Sequence, residues 1–64
     1  MQIEIFSETV SLGQWVGGIW QVVGPQDQTQ IYATSVSTTK EETQAEASNW
    51  IRANYPDAEI IRAN

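Results

Sequence analysis

The chain has 64 residues, with eight acids, three bases, no histidine and no cysteine, for a formal charge of −5. A chain of that length makes one small domain, 1–64, and buries only about 60% of the surface it exposes when unfolded. Missing histidine and cysteine remove the commonest general base, the commonest transition-metal ligand and any disulfide framework, and the acidic balance repels a phosphate backbone or an anionic membrane.

The first half alternates with period two, which predicts strands. A strand over about 2–10 puts Ile3 and Ile5 on one face and Glu4 and Glu8 on the other, with Phe6 on the acidic face. Ser11-Leu12-Gly13-Gln14 reads as a turn, because Gly13 can take the positive φ that a tight hairpin needs. The second strand spans about 15–23 and is rich in β-branched and aromatic residues. Gly17-Gly18 inside it reads as a bulge that flips Trp15 and Val16 relative to Trp20 and Val22; a separate turn is the alternative. Gly24-Pro25-Gln26-Asp27-Gln28 is a loop, and the third strand runs over about 29–36 with Tyr32 in its middle. The three strands form an antiparallel meander.

The period changes after Ser37. Thr39 followed by Glu42 fits a capping box, and 40–54 reads as a helix with Glu41, Glu42 and Glu46 early and Arg52 late. Thr43, Ala47, Trp50, Ile51 and Asn54 fall on one stripe, so Trp50 and Ile51 press on the sheet. Pro56 stops the helix, and about 58–62 reads as a short C-terminal edge strand. The expected fold class is α+β, a β-β-β-α-β domain with one helix packed on one sheet face.

Catalytic chemistry finds few candidates. Lys40, the one lysine, lies beside Glu41 and Glu42 at the helix start, where it stays protonated and cannot activate a hydroxyl. The pairs Glu42/Glu46 and Glu4/Glu8 have the residue type for acid/base work or a divalent cation. Acids at a helix N-terminus and on an outward strand face have sufficient structural reasons to be there, in helix stability and edge solubility. No EF-hand, phosphate loop or dinucleotide fingerprint occurs. The chain is read as no enzyme, with no cofactor and no metal. Nothing at Met1-Gln2-Ile3-Glu4 resembles a basic leader, and the longest apolar stretch, 15–23, is far short of the roughly 20 residues that span a bilayer. The expected compartment is the cytoplasm.

Three Trp, two Tyr and one Phe are more large rings than one helix and one sheet face can hide. The expected role is therefore a non-catalytic protein-binding module, an inhibitor or adaptor that occludes a partner surface. Trp15 and Tyr32 are its expected anchors, flanked by Phe6, and Glu41, Glu42 and Glu46 its steering charges toward a partner with a basic groove. A special case is a phage or mobile-element protein that blocks a host nucleic-acid-binding machine. The alternative from another class is a homo-oligomer, such as a homodimer, paired through edge strands at 2–8 or 57–62. Stacking single-stranded bases on sheet aromatics is a further alternative, disfavoured because Lys40, Arg52 and Arg62 are too few and scattered to hold a backbone. The meander followed by Thr-x-x-Glu and an Ala-containing helix, over Ser37 to Ile51, resembles the layout of HicB-type antitoxins, in which a helix rich in Glu and Ala also follows the third strand. Many small domains share that layout, and it does not fix function.

Overall fold

The computed structural model describes all 64 residues, as four strands and one helix. The strands are β1 (Gln2–Ser11), β2 (Gln14–Gly24), β3 (Asp27–Ala33) and β4 (Glu59–Ala63), and the helix α1 is Lys40–Asn54. They form one sheet in the order β3-β2-β1-β4. The β1/β2 and β2/β3 pairs are antiparallel, whereas β4 joins β1 in parallel. α1 is the crossover from one sheet edge to the other, as a parallel connection requires. It lies over the central strands β1 and β2. The α+β class, the three-strand meander and the position of the last strand at an edge thus stand as the sequence predicts. No helix is long and apolar enough to cross a membrane.

Local chemistry explains most boundaries. Gly13 turns the first hairpin with φ 72°, the one positive φ in the chain. Pro25 and Gln26 form the second turn, so β3 begins two residues earlier than expected. β3 also ends earlier, at Ala33. Beyond it the chain still follows β2, but by other means. The Thr34 amide donates to Gly17 O and the Thr34 hydroxyl accepts from Gly17 N, each at 2.8 Å. Trp15 and Ser37 then exchange two backbone bonds of 2.8 Å. The helix starts at a cap in which Thr39 Oγ1 accepts from Glu42 N at 3.2 Å. The reciprocal arm of the capping box is replaced, because Glu42 accepts from the Thr38 hydroxyl at 3.4 Å.

The expected bulge at Gly17-Gly18 is absent, and so is the alternative turn. The β1/β2 register runs unbroken from Gln2↔Val22 to Thr9↔Trp15, passing through Phe6↔Gly18 and Ser7↔Gly17. The glycines serve contact instead. A Cβ on Gly17 would stand 3.3 Å from Thr43 Cβ, so the bare backbone is where α1 settles on the sheet. One of the sheet's irregularities lies in β3, where Ile19 pairs with Tyr32 but Trp20 with Gln30, leaving Ile31 as the extra residue.

The core is small. Ile3, Ile5, Ile19, Ala47 and Ile51 are buried, and Ile31, Tyr32, Trp50 and Ala58 pack around them. α1 buries Thr43, Ala47 and Ile51, one residue per turn at i, i+4 and i+8. Trp50 presses on the sheet as the stripe predicts, from the edge of the core rather than its centre. It stacks on Tyr32 with centroids 4.7 Å apart and meets Tyr55 at 5.7 Å, closing the rim of the core. Asn54, the last stripe member, is exposed and donates to Trp50 O. A part-buried polar contact ties helix to sheet. Thr43 Oγ1 donates to Lys40 O, which leaves it to accept the Ser7 hydroxyl at 3.0 Å.

Candidate functional site

Strand alternation assigns each side chain to a sheet face once the register is known. Ile3, Ile5 and Ser7 of β1, with Trp15, Gly17 and Ile19 of β2, share the face under α1. Glu4, Phe6 and Glu8, with Val16, Gly18, Trp20 and Val22, share the other. No element covers that second face. Its centre is a shallow depression of about 680 Å³ lined by Phe6, Glu8, Val16, Gly18, Trp20, Gln28, Gln30 and Ala33. Phe6, Val16, Trp20 and Val22 are half-buried there by their neighbours alone.

The floor of the depression is Gly18. The Trp20 indole nitrogen lies 3.3 Å, and Gln30 Nε2 3.0 Å, from the point where a Cβ on Gly18 would stand. The ring therefore lies across the glycine rather than rising from the sheet, as aromatic side chains do beside strand glycines. The rim is polar. Glu4 is only 9% exposed and accepts a hydrogen bond from the Gln28 amide. Arg62 reaches in from β4 and sits over the Phe6 ring, 5.6 Å from its centroid.

The residues expected to bind a partner divide between the faces. Phe6 lies on the uncovered face. Trp15 lies on the helix side, in register with Thr9 and bridged to Ser37. Tyr32 is also on the helix side, because the bulge at Ile31 brings both Ile31 and Tyr32 against the core. Its hydroxyl donates to Glu46 at 2.8 Å, and this bond, with burial and the nearby charge, holds the phenol above its usual pKa. Glu46 also accepts from Ser35 N at 3.1 and 3.3 Å, so it fastens the β3–α1 connection. Glu41 and Glu42 remain exposed at the helix start. The structure thus brings Phe6 together with Trp20 and Val16, and not with Trp15 or Tyr32. Unbroken alternation across β2 is the sequence signal that pairs Phe6 with Trp20.

No group of three or more His, Cys, Asp or Glu side chains converges to hold a metal ion. The two carboxylate pairs are apart in use as well: Glu42 sits at the cap, Glu46 against Tyr32, and Glu4 beside Gln28. No protein-family model, curated protein or solved structure matches the chain.

Proposed function

We propose that this chain is a non-catalytic module that binds a basic protein surface through the uncovered sheet face and occludes it. The observation that carries the reading is the convergence of Phe6, Val16, Trp20 and Val22, each only half-buried, on a sheet face that no element covers. Two charge features choose the partner. Glu4 and Glu8 flank the apolar centre, and the chain carries −5 overall. Such a field speeds encounter with a cationic surface and disfavours an acidic one. A protein with a basic groove, the kind that grips nucleic acid, fits that description. Phe6 and Trp20 are the anchors in this reading. Glu8, Glu41 and Glu42 steer, while Trp15, Tyr32 and Glu46 hold the fold.

The test is affinity capture from lysate at low and moderate salt, with identification of what is held. Native protein is expected to retain a basic partner, and Trp20→Ala to release it. Glu8→Lys, at an exposed position, is expected to weaken capture while leaving the melting temperature in place. Equal capture by native protein and both variants contradicts the reading, as does a retained set without basic proteins.

A further inference from the structure

A second surface stands at the β4 edge. No strand lies beyond β4, and all five of its residues are exposed. Such an edge leaves a row of backbone N–H and C=O groups open to another chain, and in Glu59-Ile60-Ile61-Arg62 the charges sit at the ends of the strand with two isoleucines between them. Ile60 and Ile61 are 43% and 44% exposed. Glu59 pairs with Gln2 and Arg62 with Glu4, so both charges project on the same, uncovered side of the sheet. Ile60 pairs with Ile3 on the other side, and Ile61 is the extra residue that keeps Glu59 and Arg62 in phase.

Read backwards, Glu-Ile-Ile-Arg meets its own complement. We infer that β4 pairs antiparallel with β4 of a second copy about a two-fold axis between Ile60 and Ile61. Glu59 of each copy then faces Arg62 of the other, and Ile60 of each faces Ile61 of the other. Opposite charges and aliphatic pairs in direct register are the stabilising cross-strand pairs of a sheet. The contact is isologous, so it closes at two copies. Both charged groups are free to engage. Glu59 uses one carboxylate oxygen for Gln2 at 3.3 Å, and Arg62 rests on Phe6 without a covalent or buried restraint. The −5 on each copy opposes association. At physiological salt that repulsion is screened beyond about 8 Å, whereas the Glu–Arg pairs in contact are not. The result is an eight-stranded sheet that presents the Phe6–Trp20 face twice.

A contact of one short strand buries less than a standard interface, so the dimer is weak and is lost on dilution. Sedimentation equilibrium in 150 mM salt, over about 10 μM to 1 mM, reads it directly. Native protein is expected to rise from monomer to dimer mass. Glu59→Arg and Arg62→Glu, each placing like charges opposite, should remain monomeric. The double exchange E59R/R62E restores opposite pairs and should restore the dimer. Ile61→Lys, at an exposed position, should remain monomeric with an unchanged circular dichroism spectrum. A monomer at every concentration overturns the inference. So does a dimer that survives both single reversals, or a double exchange that stays monomeric while folded. None of these readings uses a protein partner, so they stand apart from the capture experiment.

Discussion

A methyl group on Gly17 would stand 3.2 Å from Thr34 Cγ2 and 3.3 Å from Thr43 Cβ, both fixed by hydrogen bonds through their hydroxyls. A methyl group on Gly18, one residue on, would meet the movable ends of Gln30 and Trp20. Gly17→Ala is therefore expected to cost about 1–3 kcal/mol by lifting α1 from the sheet, and Gly18→Ala less than about 1 kcal/mol. Thermal melts of the two variants decide it, and equal shifts would deny the close approach at Gly17. Tyr32 makes the other prediction at this scale. Its phenol pKa is raised from 10.0, chiefly by the hydrogen bond to Glu46. The sign follows from linkage: the contribution is fully present below the ordinary value and is lost as pH climbs through the raised one. Tyr32→Phe should lower stability near neutral pH and show a shallower alkaline decline in urea stability. An unchanged alkaline slope would mean that the Tyr32–Glu46 bond contributes nothing.

At the scale of elements, the helix was the most legible part of the chain. Thr39, Glu42 and Pro56 mark its ends, and 40–54 is its observed span. These signals are local, because caps and proline act on neighbouring backbone groups. β3 was the least legible. Its alternation places Gln28, Gln30 and Tyr32 together, yet the bulge at Ile31 sends Tyr32 to the helix side. That displacement rewards contacts with Trp50 and Glu46, which lie far along the chain and leave no mark in β3 itself. The parallel pairing of β4 was hidden for the same reason. Helix packing gives a matching prediction. Ile51 is 3% exposed, at the centre of the core, so Ile51→Ala should cost about 2–5 kcal/mol. Trp50, stacked on Tyr32 and tilted against Tyr55 at the rim, should cost about 3 kcal/mol as alanine, the most of any ring. A domain this small holds only about 5 kcal/mol in total, so denaturation curves will show both clearly. A Trp50→Ala melt coincident with native protein would refute the rim stack.

Taken whole, the molecule is two layers thick and 15 Å in its shortest dimension, a sheet with a helix on one side only. Such a shape has one face to spare. Of the six rings, Trp15, Tyr32 and Trp50 belong to the helix side, Phe6 and Trp20 lie half-buried on the other face, and Tyr55 at the helix end is exposed. Trp15 and Tyr32, the anchors expected from the sequence, fall on the helix side because β2 carries no bulge at Gly17-Gly18 and β3 carries one at Ile31. The two faces make opposite predictions for two tryptophans five residues apart. Titration calorimetry of a captured basic partner against Trp20→Ala and Trp15→Ala measures the difference directly. A central aromatic anchor is worth at least about 2 kcal/mol, so Trp20→Ala should weaken binding by about 30-fold or more. Trp15→Ala, if folded, should bind as native protein does. Loss of affinity in Trp15→Ala with none in Trp20→Ala would contradict the assignment of the uncovered face.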